Sequence, residues 1–315
     1  MPQGIAEGMT GGLALRLRGI VKDYAGEKAL KGVDLSIAPG SLFGIIGADG
    51  AGKSTLLTIL ATLLDPDAGE ASMLGLDIRK NFRTLRREIA FMPQRFSLYP
   101  DLTVSENLDF FADVYALDAA EKVDRKAELL RFSGLEPFQQ RRAGQLSGGM
   151  KQKLALSCCL LHKPRLLLLD EPTVGVDPVA RRDFWIMLRS LKAQGITLVV
   201  TTPYMDEAAQ CEALLLLHQG KMLATGTPVE MLGKYPYRLY RVFAATPLSF
   251  SARSPLPAQV ALAYPHGGAL HVAFDLNATP EADWWRFFPG AEGAEPLAPD
   301  IEDLLFALLD REPEL

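Results

Sequence analysis

Gly47-Ala48-Asp49-Gly50-Ala51-Gly52-Lys53-Ser54, GADGAGKS, fits the pattern G-x-x-x-x-G-K-[S/T] at every position. A short apolar run at 42–46 precedes it and a helical pattern at 54–63 follows, so the segment reads as a strand–turn–helix. Its residue types suit a phosphate cradle. Glycine has no Cβ, so successive backbone N–H groups can turn toward phosphate oxygens. The helix opened by Ser54 and Thr55 adds the positive end of its dipole. Lys53 brings a charge to the β- and γ-phosphates, and the Ser54 hydroxyl is a hard oxygen ligand suited to Mg²⁺. A nucleoside triphosphate with Mg²⁺ is the expected occupant, held by residues 47–55.

Working outward, strand candidates lie at 13–22, 30–37, 42–46, 88–92, 166–170, 197–201 and 213–218. Helical patterns lie between them at 54–63, 104–115, 120–132, 148–161, 179–193 and 205–211. This alternation predicts an α/β domain with a largely parallel core sheet. Turn signals at Ala25-Gly26 and Pro39-Gly40 add an antiparallel β-layer at the N-terminal side. The composition changes near Tyr235-Pro236. Residues 238–315 hold 9 of the 21 prolines and carry five Arg, no Lys and 11 Asp plus Glu, a net charge of −6 that leaves +1 for the rest. The expected organisation is a tail at 1–12, a main domain at 13–235 and a small acidic α+β domain at 236–315.

Composition narrows the function. The chain has 315 residues, is 48% hydrophobic and carries a net charge of −5, which gives no electrostatic reason to expect nucleic acid as a partner. No apolar run reaches the roughly 18 residues of a membrane span, so a membrane role is expected to be peripheral. Residues 1–12 carry no Lys or Arg and no apolar stretch, unlike a signal peptide. Cys158, Cys159 and Cys211 lack zinc-ligand spacing and read as small core residues.

The other half of the expected site lies downstream. Arg165–Glu171 reads RLLLLDE: a buried strand that delivers Asp170 at its carboxyl end, followed by Glu171. Asp170 suits Mg²⁺ and Glu171 suits a general base acting on water. Leu146-Ser147-Gly148-Gly149-Met150-Lys151-Gln152 places Ser147 as an N-cap before two glycines, which leaves a bare helix N-terminus able to meet an anion. One chain already has one phosphate loop, so a second anion site suits another molecule.

With these motifs in this order, the stretch from about Leu13 to Gly233 resembles the ABC ATPase family. The resemblance implies a P-loop ABC ATPase fold with a helical subdomain at about 95–160. It also implies two cassettes sandwiching two Mg·ATP, each lending Ser147, Gly148 and Gly149 to its partner's γ-phosphate. It assigns Gln94 to sensing Mg²⁺ and the membrane partner, Tyr24 to stacking on adenine, and the loop ending at Asp177 to coupling the two sites. Tyr24 also reads as a packed loop tyrosine, and Asp177-Pro178 as an ordinary N-cap with proline at the first helical position. One departure stands out: where the family has T-T-H-x-M-D-E-A, this chain reads Thr201-Thr202-Pro203-Tyr204-Met205-Asp206-Glu207-Ala208. Pro203 has no side-chain donor, so the γ-phosphate contact of that histidine is missing and slow turnover is expected. Gly226-Thr227-Pro228 and the acidic tail further resemble the daunorubicin-exporter type, which serves separate ABC-2 type permeases. That implies an exporter subunit on the cytoplasmic face of the plasma membrane, with helices near Phe96–Leu108 meeting the permease. Soluble family members that act on ribosomes or nucleic acid, or in iron–sulfur assembly, are the alternative. The first kind usually carries long coiled-coil insertions or paired cassettes, and this chain has neither.

Overall fold

A computed structural model describes residues 12–95, 98–244, 256–257, 259–278, 280 and 283–310. The first compact unit runs to Gly226 and begins with β1 (Leu15–Tyr24), β2 (Glu27–Ile37), β3 (Leu42–Ile46), α1 (Lys53–Leu60), β4 (Ala68–Met73), β5 (Leu76–Asp77), α2 (Phe82–Glu88) and β6 (Ile89–Met92). It continues with α3 (Val104–Val114), α4 (Ala119–Ser133), α5 (Gly148–Leu160), β7 (Leu166–Asp170), α6 (Pro178–Ala193), β8 (Thr197–Thr202), α7 (Met205–Ala208), β9 (Ala213–His218) and β10 (Lys221–Gly226). The second unit holds α8 (Pro228–Leu232), β11 (Tyr237–Phe243), β12 (Val260–His266), β13 (Ala269–Asp275), β14 (Gly293–Leu297) and α9 (Ile301–Asp310).

The central sheet of the first unit has the order β10-β9-β3-β8-β7-β6. All neighbours are parallel except the edge pair β10–β9. β3 and β7 are buried at every residue, which is why LFGII and LLLLD run without the polar alternation of a one-sided strand. A second, antiparallel sheet, β2-β1-β4-β5, packs with α1 and the core strands around Leu15, Ile20, Leu56, Leu57 and Leu168. α3, α4 and α5 pack against one another as a helical layer. The mostly parallel α/β core and the antiparallel layer agree with expectation.

Several boundaries differ from the sequence reading. The first helix stops at Leu60 because Thr62 adopts φ 60°, a left-handed conformation that ends the spiral. Glu88 closes α2 instead of opening β6. The helix expected at 205–211 is a single turn, α7. The second compact unit begins at Thr227, upstream of the composition change at Tyr235-Pro236, and Thr227 and Glu230 form the capping box that starts α8. The second unit is an antiparallel sheet, β12-β13-β11-β14, with α8 and α9. All three cysteines are buried, and burial pushes the Cys159 and Cys211 thiols up to about 12.

Candidate active site

The phosphate loop joins β3 to α1, and its glycines are demanded by space as much as by conformation. A Cβ at Gly47 would lie 2.2 Å from the Leu217 carbonyl oxygen. Gly52 sits at φ 104° and a Cβ there would meet the Ala29 carbonyl oxygen at 2.5 Å. The loop walls a cleft of about 320 Å³ lined by Asp49 through Thr55, with Ala29, Gln94 and Glu171.

Three side chains converge in that cleft. Lys53, 3% exposed, donates to the carbonyls of Gly47 at 2.7 Å and Ala48 at 3.0 Å. Its ammonium also lies 3.0 Å from Glu171 Oε1. The other carboxylate oxygen, Oε2, accepts from Gln94 Nε2 at 2.8 Å. Glu171, 6% exposed, is therefore held from both sides. Its backbone has φ 47°, a left-handed conformation that costs a non-glycine residue on the order of 1–3 kcal/mol and recurs at functional sites. The turn directly after β7 gives this side chain its aim.

Asp170 ends β7 and is 4% exposed. Its Oδ1 accepts from the Thr201 hydroxyl at 2.7 Å, and the same hydroxyl accepts from Glu171 N at 2.9 Å. Thr201 thus ties both carboxylate residues to β8. The sequence reading passed over Thr201, since its role exists only once β7 and β8 lie side by side. Ser54, Gln94 and Asp170 supply a hydroxyl, an amide oxygen and a carboxylate, the hard oxygen donors that Mg²⁺ takes.

Other expected site residues stand outside this cleft. Ser147 caps α5 by accepting from Met150 N at 3.3 Å, and Gly149 packs so closely on α6 that a Cβ would meet that of Ala180 at 2.4 Å. Asp177 caps α6 by accepting from Ala180 N at 2.9 Å, with Pro178 at the first helical position. Tyr24 is 49% exposed at the end of β1, with Lys22 Nζ 5.7 Å from its ring centroid. None of Tyr24, Ser147, Gly148, Gly149 and Asp177 lines the phosphate cleft of its own chain.

The loop after β8 is tied down locally. Thr202 is fully buried; its hydroxyl donates to Glu207 and accepts from Tyr204 N at 3.0 Å. Glu207, 1% exposed, also accepts from Thr173 Oγ1 at 2.6 Å. The Arg181 guanidinium lies 4.2 Å from the Tyr204 ring centroid. Thr173, Arg181 and Glu207 were not legible as a group, being spread over one turn and two helices.

A family model described as "ABC transporter" matches residues 30–174. The Nod factor export ATP-binding protein I of Rhizobium sp. (strain N33) is 37% identical over 224 residues, 71% of this chain and 74% of that protein. The linearmycin resistance ATP-binding protein LnrL of Bacillus subtilis (strain 168) is 35% identical over 70% of this chain and 71% of its own length. YbhF of Escherichia coli (strain K12), described as a probable multidrug ABC transporter ATP-binding protein, is 45% identical, and the matched stretch spans 68% of this chain but only 37% of that protein. Among solved structures, the ATP-binding cassette MJ0796, a dimer in a post-hydrolysis state bound to ADP and Pi, matches with a TM-score of 0.62 at 31% identity, over 68% of this chain and 98% of its own. The chain belongs to the ABC transporter family of ATP-binding proteins.

Proposed function

We propose that this chain is the ATP-hydrolysing subunit of an exporter, pairing with a second cassette and driving a separate membrane permease of the ABC-2 type. The observation that carries the reading is the Lys53–Glu171–Gln94 arrangement at the phosphate loop. Glu171 is the base that takes a proton from the attacking water, Gln94 orients its carboxylate, and Lys53 meets the triphosphate. Ser54, Asp170 and Gln94 would hold Mg²⁺, which would supply positive charge to the phosphates when bound. Ser147 and Gly148, both exposed, and the helix start they share with the buried Gly149 serve the partner cassette's nucleotide, a reading supported by their standing apart from this chain's own cleft. Asp177 couples the two sites and Tyr24 stacks on adenine.

The exporter part rests on relatives named for Nod factor export and linearmycin resistance. No helix among the described residues is long and apolar enough to cross a membrane; in this reading the translocation path belongs to the permease. A groove of about 360 Å³ lined by Gln94, Arg95, Leu98, Pro100 and Lys151 suits a permease segment, because it shares Gln94 with the catalytic cleft. Beside it, Tyr99 and Phe110 are exposed, with ring centroids 4.5 Å apart; Phe96, assigned to the same surface, lies outside the described residues. The chain then works at the cytoplasmic face of the plasma membrane.

Glu171→Gln tests the catalytic assignment. An amide keeps the shape and the contact region but cannot take a proton, so hydrolysis falls at least about 10²-fold, roughly 3 kcal/mol of barrier, while ATP binding persists. Steady-state ATPase and nucleotide binding are measured side by side. Wild-type turnover by this variant would remove Glu171 from the mechanism.

A further inference from the structure

The β12–β13 hairpin of the second unit carries two of the chain's four histidines. Gly267 and Gly268 turn it at φ 54° and 82°, and the register sets Tyr264 opposite His271 and His266 opposite Ala269. Strand alternation puts Tyr264 and His266 on the same face, where His271 joins them.

The start of α9 meets that face. Asp300 N donates to Asp303 Oδ2 at 2.8 Å and Asp303 N donates to Asp300 Oδ1 at 2.9 Å, which fixes both carboxylates. Asp303, fully buried, accepts on Oδ1 from the Tyr264 hydroxyl at 2.6 Å and pairs there with His271 Nδ1 at 2.7 Å. Asp303 thus takes three hydrogen bonds, from the Tyr264 hydroxyl, His271 Nδ1 and the Asp300 amide. A carboxylate on one imidazole nitrogen leaves the other with its lone pair, the arrangement that stands behind metal-bound histidines. His266 lies over this pair, its ring centroid 4.3 Å from that of His271. Its Nε2 is 3.3 Å from Asp300 Oδ2 and its Nδ1 is 3.5 Å from Glu302 Oε2.

Mutual hydrogen bonding accounts for Tyr264, His271 and Asp303. It does not account for a second imidazole tilted over the first with two further carboxylates around it. Candidate ligand atoms of His266, His271 and Asp303 all lie within 4.8 Å of one another. We propose that His266 and His271, oriented by Asp303 and flanked by Asp300 and Glu302, form a site for a divalent transition-metal ion of the zinc type. Imidazole with carboxylate suits zinc, cobalt or nickel, whereas magnesium and calcium take oxygen alone. The ion would clamp the hairpin to α9 and is chemically separate from the oxygen donors of the nucleotide cleft.

The test uses the full-length, untagged chain, stripped with chelator and free of nucleotide. Zn²⁺ is titrated by calorimetry and Co²⁺ by visible absorption. One ion per chain is expected, with a micromolar or lower Kd and ligand-field bands for Co²⁺. His266→Gln is expected to weaken Zn²⁺ binding at least about 10-fold and abolish the bands. Its metal-free melting temperature should match wild type, since His266 is only partly buried and loosely paired. Lys53→Ala should leave the Zn²⁺ titration intact while weakening ATP binding, which separates the two sites. Absence of stoichiometric uptake, or equal uptake by wild type and His266→Gln, overturns the proposal and leaves a hydrogen-bonded network only.

Discussion

Thr201 shows how much one hydroxyl arranges. It joins Asp170 and the Glu171 amide across two strands with no exposure of its own. Thr201→Val keeps the volume and removes the bonds, leaving a buried carboxylate short of a donor. Stability in urea is expected to fall by about 1–3 kcal/mol. The hydrolysis rate should fall while the KM for ATP holds, because the loss concerns aim at the reacting water. Pro203 makes a different case. The Thr202 hydroxyl is committed to Glu207 and the Tyr204 ring to Arg181. Pro203→His is therefore expected to raise steady-state ATPase, by up to about 10²-fold if the imidazole reaches the γ-phosphate. An unchanged rate would mean that another group already makes the contact.

Among elements, the contact of α5 with α6 leaves no room for an added methyl group. Gly149→Ala drives a methyl group to 2.4 Å from Ala180 Cβ, and overpacking of this kind costs about 1–3 kcal/mol. Ala180→Gly in the same chain should restore much of the loss, and a double-mutant cycle by urea denaturation reads the coupling. The strands that proved legible were those whose own residues declare them. LFGII and LLLLD are apolar throughout because both faces are covered. β4, AGEASM, and β14, GAEPL, carry glycine, glutamate or proline and become strands only because β1 and β11 offer ladders to pair with. α2 escaped notice because Leu85 is its single buried residue. The phosphate loop and Asp170-Glu171 were readable since each lies in one short stretch. Thr201 with Asp170, or His266 and His271 with Asp303, are brought together only by register and packing.

At the level of the molecule, every residue lining the phosphate cleft belongs to the first unit. A chain ending at Gly226 is expected to fold and bind ATP with affinity close to that of the full chain, measured by fluorescence or calorimetry. It should take up no stoichiometric Zn²⁺, because His266, His271 and Asp303 are gone. Loss of ATP binding in a folded truncated chain would place part of the nucleotide site beyond residue 226.

β3 lies between β8 and β9, pairing Ile46 with Thr202 on one side and Leu216 on the other. On the ribosome this order imposes a wait. At 5–20 residues per second, β9 leaves the exit tunnel on the order of 10 s after β3. For most of that interval, until β8 emerges, a fully apolar strand has neither neighbour available, although the antiparallel layer, closed by Asp77, has all of its strands in hand. The nascent chain is thus most in need of a holdase while the residues between β3 and β8 are being added, and that need ends when His218 emerges and β3 has both neighbours.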